Sequence, residues 1–361
     1  MLRHVGLYEQ CRSLRIDTSS QETYGHVAGA LHQGFLFVLA CDCVQVHDTD
    51  QRLVATLQVH PDLHRSQPVA DVQLAGRLNS GKYSWHVGNL PCSNKAHKIL
   101  SALDLLRLAK HAASRAGEYL RTVQRPSNPA DWTLKGSRDF VTEVDRAAER
   151  IITEILLTAE PASTMVGEEL SPALATGGLV WVVDPLDGTT NFLHGIPSYA
   201  VSIAAAVDGV LQAGVVLDVT RNDTCVASLG GGTWRGEQRL AVSTIHDPEL
   251  AVIGTGFPFR DVSRLEPYLR QLGRVARSTS GIRRPGAAAL DLADVAAGRF
   301  DGFWEQHLSA WDIAAGRLLI QEAGGIVTDL SGRDIGIEHT SVVAGNPAIH
   351  AWLIETLNSE R

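Results

Sequence analysis

Apolar positions along this chain recur with two different periods, and where each holds predicts the elements. From Ser101 the segment ALDLLRLAKHAASRAGEYL repeats apolar residues at helical spacing, predicting a helix over about residues 101–123. A second helix is predicted over about 142–158. There Val144, Ala148, Ile151, Ile152, Ile155 and Leu156 share one face, and Thr142 with Asp145 has the pattern of a capping box. Apolar runs at 164–166 and 179–183 read as buried strands, with further strands near Tyr199 and Leu211. Asp208-Gly209, between the apolar runs 202–207 and 210–217, reads as a hairpin turn, so part of the sheet is antiparallel. Downstream, RRPGAAALDLADVAAG predicts a small-residue helix closed by Gly298, and FDGFWEQ a strand that ends at Glu305. SAWDIAAGRLLIQEAGG predicts an amphipathic helix ending at Gly324-Gly325. Helices alternating with strands in this way indicate a layered α/β fold.

Before residue 99 no helical period is convincing, and eight of the fourteen histidines and four of the five cysteines lie there. The shift in composition divides the chain into an N-terminal extension, 1–99, and a main domain, 100–361. Runs at 35–46 and 53–59 are candidate strands of a small accessory module. The competing reading is that 1–99 is upstream sequence translated from a misplaced start and never folds. Cys41-Asp-Cys43 has histidines nearby but fits no standard zinc spacing, so ligation is not expected there, and a regulatory metal sensor in this segment has the least support.

With 361 residues, 44% apolar and 6% aromatic, the chain has ample sequence for a core. The net charge is −8, and since the extension is nearly balanced, the acidity belongs to the main domain. A chain of that charge is not expected to bind nucleic acid directly. Cys225 is the one cysteine after residue 99, so no disulfide framework supports the main domain and a reducing cytoplasm is expected. The start of the chain has no continuous apolar core and the longest apolar runs are short or interrupted, predicting neither export nor a membrane span.

The chemistry begins where WVVDPLDGTTN leaves its strand. Asp184 and Asp187 depart from the strand end together, Pro185 stiffens the link between them, and the Leu186 carbonyl is free to meet a cation held by the aspartates. Gly188 lets backbone approach an anion, and the N–H groups of Gly188, Thr189 and Thr190 would open a short helix. Taken alone, Asp-Gly after a buried strand is equally well a simple turn. Other acids carry similar double readings. Asp145 either caps its helix or projects toward a water. Glu168 and Glu169 follow a strand end, where paired acids are usually solvated, yet a second metal would draw a carboxylate from a segment other than 184–187. Asp312 in a first helical turn also complements the helix dipole. Ala287, Ala288 and Ala289 allow close helix packing or close substrate approach.

In this order and spacing, DFVTEVD, GEE, WVVDPLDGTTN and WDIAAG resemble the inositol monophosphatase family, the third segment closely matching that family's signature. The likeness runs from about Ser101 to the C-terminus, takes in GTGFP at 254–258 and RPGAAALDLADVAAGRFDGFWE, and leaves out the extension. Within the family the chain is most similar to the bacterial inositol-1-monophosphatase branch. The resemblance implies an αβαβα sandwich, normally a homodimer, with magnesium-dependent, lithium-sensitive hydrolysis of myo-inositol monophosphate. It implies that Glu168, Asp184, Asp187, Asp312 and the Leu186 carbonyl ligate Mg2+. Asp145 and Thr189, with Glu168 beside them, would orient and deprotonate the attacking water, and the Gly188 and Thr189 N–H groups would hold phosphate. Asp187, Ala288 and Glu305 would meet hydroxyls of the alcohol, with Arg283, Gly286, Ala287 and Asp312 bordering the same pocket.

The residues agree with that assignment. Four carboxylates gathered without a cation would repel one another, so the cluster makes sense only with divalent metal. With a metal-activated water as nucleophile no covalent phosphoenzyme is needed, and with no cysteine at the site and no Walker-type loop in the chain, nucleotide-driven transfer is not expected. Two departures from the family pattern, Ala287 where Ser or Thr is common and His307 in the loop before Asp312, bear on which alcohol is accepted. Relatives of the same fold hydrolyse histidinol phosphate, fructose 1,6-bisphosphate or 3′-phosphoadenosine 5′-phosphate. Bacterial relatives of this branch also associate with transcription antitermination machinery, which supplies a reading of another class.

Overall fold

The computed structural model describes residues 100–359 apart from 127, 129–131, 137–138, 172, 176 and 259–260, and before residue 100 the backbone of six strands. The chain divides into two units, Met1–Ile99 and Leu100–Arg361. In the first, β1 (His4–Tyr8), β2 (Ser13–Thr18) and β3 (Gln45–Asp48) form one three-stranded sheet. Strands β4 (Val54–Val59), β5 (Val69–Leu78) and β6 (Gly81–Pro91) form another. The run expected at 53–59 corresponds to β4. Of the run at 35–46 only the last two positions are described, in β3, and residues 35–44 with Cys41 and Cys43 lie outside the described residues.

The second unit opens with α1 (Ala102–Thr122), whose N-terminus is closed by a reciprocal capping box between Ser101 and Asp104. After the short hairpin of β7 (Thr133–Gly136) and β8 (Asp139–Val141), α2 (Glu143–Ala159) starts at the Thr142 and Asp145 box that the sequence predicts. A seven-stranded sheet follows. Its strands are β9 (Thr164–Gly167), β10 (Leu179–Asp187), β11 (Ala200–Val207), β12 (Val210–Asp218), β13 (Asp223–Ser228), β14 (Gly232–Arg235) and β15 (Gln238–Leu240). They lie in sequence order, all antiparallel except β9 and β10. The short α3 (Thr189–His194) leaves the end of β10. Asp208 and Gly209, both at positive φ (50° and 81°), make the tight turn between β11 and β12.

A second sheet has the order β17-β16-β18-β20-β19, from β16 (Val252–Thr255), β17 (Gly281–Arg283), β18 (Gly302–Leu308), β19 (Ile326–Thr328) and β20 (Thr340–Gly345). Its helices are α4 (Leu265–Ser278), α5 (Ala288–Ala296), α6 (Ala310–Glu322) and α7 (Pro347–Asn358). Alternation along the strands sorts them into layers. Trp181 and Val183 of β10 pack with Leu105, Ala112 and Leu120 of α1 and Ile152 and Leu156 of α2, while Val180 and Val182 face the opposite way, onto α5 and α6. On the second sheet Phe303 and Val342 join that middle layer, and Trp304 and Val343 face Tyr268 of α4 and Leu353 of α7. The result is the expected αβαβα sandwich. A sheet covered on both faces explains why β10 reads as a continuous apolar run instead of an alternating one.

Three local expectations need correction. β10 continues past residue 183 to Asp187, with its register against β11 shifted between Asp184 and Asp187. β18 likewise runs on from Glu305 to Leu308 after a register shift. Helix α6 is not amphipathic in its environment. Ala310, Trp311, Ile313, Ala314, Ala315, Gly316, Leu318, Leu319 and Ile320 are all buried, because the helix lies between both sheets. Gly316 admits this packing: a Cβ there would fall 2.5 Å from the Leu292 Cβ of α5.

Candidate active site

The irregular end of β10 builds the centre of the site. Asp184 still pairs with Ser202, but the next pair is Asp187 with Ala200, so the chain bulges between them and both carboxylates leave the sheet on one side. The Leu186 N–H donates to Asp184 Oδ1 (3.0 Å), which holds the bulge. Gly188 then adopts φ 89°, where a Cβ would come within 2.9 Å of the Ser198 carbonyl, and the chain turns into α3. Asn191 Nδ2 donates to the Ser198 and Pro285 carbonyls (2.7 and 2.9 Å), tying α3 to the segment before α5.

Ligand oxygens of Asp184, Asp187 and Asp312 lie within 4.8 Å of one another. Asp312 reaches them from the first turn of α6, its Oδ2 accepting the Ser309 N–H (2.7 Å), while Asp187 Oδ2 accepts the Ala289 N–H at the start of α5 (2.7 Å). Glu168, just after β9, lines the same cleft and acts electrostatically on Asp184. Asp145 caps its helix and also reaches Thr189. Its Oδ2 accepts the N–H and hydroxyl of Thr142 (2.9 and 2.5 Å), and its Oδ1 accepts the hydroxyl of Thr189 (3.0 Å). The Thr189 hydroxyl is also 3.1 Å from the Leu186 carbonyl, so its one proton has two acceptors.

The cleft has a volume of about 630 Å³, and its lining includes Glu168, Asp184, Leu186, Asp187, Gly188, Thr189, Gly286, Ala288, Glu305 and Asp312. Asp145 is not among the lining residues and is linked to the cleft through Thr189. Ala287 is buried behind it, its Cβ 3.3 Å from where one on Gly188 would lie. Arg283 is not brought to the cleft; it is exposed on β17 and its guanidinium donates to the Ile282 carbonyl (3.0 Å). The next residue, Arg284, lines the cleft instead, over the Phe257 ring at 5.6 Å. Successive strand residues face opposite ways, and sequence alone could not choose between two consecutive arginines. His307 also lines the cleft, at positive φ (58°).

Burial pushes the carboxyl groups of Asp184 and Asp187 well above the ordinary range. Like charges add to this, Glu168, Asp187 and Asp312 around Asp184, and Asp312 and Glu305 around Asp187. Burial also raises Asp145, against hydrogen bonds from Thr142 and Thr189 that favour its charged form. Buried, mutually repelling carboxylates beside a backbone carbonyl form a donor set of hard oxygens that suits a small divalent cation.

One residue the sequence reading passed over is Asp291 on α5, which lines the cleft, is 2% exposed, and has no partner for Oδ1 among the described residues. Burial raises its pKa well above the usual value, with Glu305 and Asp187 adding to the shift. The native side chain thus keeps its proton at pH values where the unfolded one has lost it, so this residue costs stability as pH rises above the ordinary carboxylate range. Asp291→Asn is therefore expected to stabilise the metal-free protein at pH 8.5, with the gain shrinking toward pH 5. Denaturant unfolding in EDTA checks it; a variant less stable than wild type at pH 8.5 contradicts it.

The layered fold, with acids from both the first sheet and the middle helices meeting at one cleft, agrees with the match to a known family: the chain belongs to the inositol monophosphatase family, which it matches over residues 103–361. It is 46% identical over 259 residues to the Nus factor SuhB of Pseudomonas aeruginosa, covering 70% of this chain and 95% of that protein. It is 44% identical over 254 residues to the inositol-1-monophosphatase of Rhizobium meliloti, covering 70% and 96%. Among solved structures, the extragenic suppressor protein suhB from Bartonella henselae is 39% identical with a TM-score of 0.64, over 71% of this chain and 99% of that one. Among the described residues no helix is long and apolar enough to cross a membrane.

Proposed function

We propose that residues 100–361 form a phosphomonoesterase that hydrolyses myo-inositol monophosphate to inositol and phosphate with Mg2+ as cofactor. The observation that carries this is the meeting of Asp184, Asp187 and Asp312 oxygens within 4.8 Å, beside a threonine hydroxyl bonded to a buried carboxylate. Glu168, Asp184, Asp187, Asp312 and the Leu186 carbonyl hold the cation. When bound, magnesium supplies the positive charge that acidifies the attacking water and offsets charge on the leaving oxygen.

Thr189 Oγ orients that water. As Thr189 Oγ takes the water proton, its own proton passes to Asp145 Oδ1, a base whose burial makes it a better acceptor than an exposed aspartate. The N–H groups of Gly188 and Thr189 hold the phosphate oxygens, and a water-derived oxygen replaces the alcohol at phosphorus with no covalent enzyme intermediate. Asp187, Ala288 and Glu305 receive the alcohol, with Gly286 and Ala287 behind them. A homodimer, a cytoplasmic location and lithium inhibition complete the reading.

Phosphate release from inositol 1-phosphate, histidinol phosphate, fructose 1,6-bisphosphate and 3′-phosphoadenosine 5′-phosphate, each with and without Mg2+, tests the substrate. Inositol 1-phosphate is expected to have the highest kcat/KM. Faster turnover of any other ester overturns the choice of alcohol, and no Mg2+-dependent release from any of them overturns the chemistry.

A second reading, a partner of the transcription machinery, is favoured by the name of the 46% identical Pseudomonas relative. Cells carrying a hydrolysis-dead chain separate the two: retained cellular function supports the partner role, and its loss supports catalysis.

A further inference from the structure

Resting on the reading of Glu168 as a metal ligand, we propose that Glu149 is its positioning residue, the anchor that fixes the loop carrying Glu168. Glu149 lies in α2 with no exposure at all. Its Oε2 accepts the N–H of Glu169 (2.7 Å) and its Oε1 accepts the N–H of Leu170 (3.0 Å), the two residues that follow Glu168. On the other side of Glu168, a Cβ on Gly167 would fall 2.3 Å from Glu149 Oε1, so the carboxylate lies directly against the backbone there. The Glu168 N–H itself donates to the Val183 carbonyl of β10 (3.3 Å), one residue before Asp184. The backbone that bears Glu168 is thus held between the strand of the other ligands and a carboxylate beneath it.

The chemistry of the anchor is specific. Two N–H groups are met by two separate oxygens of one side chain, and a carboxylate is the side chain that carries two acceptor atoms and no donor when ionised. An apolar residue of similar volume would spare the burial of a charge but take the side-chain acceptor away from two part-buried N–H groups. A glutamine would turn its NH2 toward one of them. Location adds a second point. Glu149 is four residues after Asp145, on the same face of α2. One helix face therefore fixes both sides of the cleft, holding Thr189 through Asp145 and the Glu168 loop through Glu149. Freed of this anchor, Glu168 would have to be ordered by the ion itself, and that ordering would weaken ion binding.

Glu149→Gln in the full chain is expected to weaken Mg2+ binding about 10–100-fold in calorimetric titration with MgCl2, a typical effect for removing an outer-shell partner of a ligand. Raised Mg2+ should restore most of kcat while the substrate KM stays near wild type. Glu149→Asp, which keeps both acceptors at a shorter reach, should fall between the two. Gly167→Ala approaches the same contact from the loop and should weaken Mg2+ binding in the same direction. It keeps the experiment decisive if Glu149→Gln does not fold. Folded variants that bind Mg2+ as tightly as wild type overturn the proposal, even if their melting temperature is lower, because a purely structural carboxylate would leave the affinity of the folded fraction unchanged. A wild-type chain that binds no Mg2+ overturns instead the reading of Glu168 on which this rests.

Discussion

Asp184→Asn is expected to lower phosphate release from inositol monophosphate by about a thousandfold, in the range seen when a charge-stabilising group is removed from a preorganised site. Asp184 is 1% exposed and sits among the charges of Glu168, Asp187 and Asp312. The amide keeps an oxygen to accept the Leu186 N–H, so the bulge in β10 survives. What disappears is one negative charge, and with it both cation affinity and repulsion among the acids. The variant should therefore be inactive yet at least as stable as wild type in EDTA. That combination separates a chemical defect from misfolding. Retention of more than a tenth of wild-type turnover at saturating Mg2+ would remove Asp184 from the mechanism.

The second large effect is thermal. Without cation, the raised carboxyls of Asp184 and Asp187 hold protons in the folded state that the unfolded chain releases, so their contribution falls as pH rises above the ordinary carboxylate range. Metal-free protein should thus lose stability between about pH 5 and pH 8 through these groups. Mg2+ at about one hundred times its Kd contributes about 2.7 kcal/mol, which for a domain of this size raises Tm by roughly 5–10 °C at pH 8. Toward pH 5 the ion must displace protons, and the increment should shrink. Melting curves with MgCl2 and with EDTA across this interval test both halves. A magnesium increment equal at pH 5 and pH 8 would show that these carboxyls are not what the ion meets.

How much of this is legible in the sequence differs from residue to residue. The acids at 184 and 187 stand out because a fully apolar run gives way to two acids, a proline and a glycine, a combination that packing alone does not require. The sequence reads there as a strand end, not as a bulge in a strand that runs on to Asp187. The capping box at Thr142 and Asp145 is local chemistry and is read from spacing, but the bond from Asp145 to Thr189 spans 44 positions and no local pattern foretells it. Glu149 is harder still. A glutamate in an otherwise polar helical position reads as solvated, and its burial depends on a loop from β9 folding over it. Arg283 and Arg284 differ only in which way a short strand end faces. For α6, the weak apolar period suggests one buried face, whereas two sheets close on it from both sides.

The position of α6 has a consequence for the cleft as a whole. Asp184 and Asp187 belong to the first sheet, but Asp312 rides on a helix wedged between two sheets, so the walls of the site are parts of different strata. A slide of one stratum over the other by even a bond length would change the distances from Asp312 to both aspartates at once. Gly214 of β12, where a Cβ would fall 3.0 Å from the Ala315 carbonyl, lets α6 lie flush on the first sheet three residues beyond Asp312 and so sets the gauge between the strata without touching anything inside the cleft.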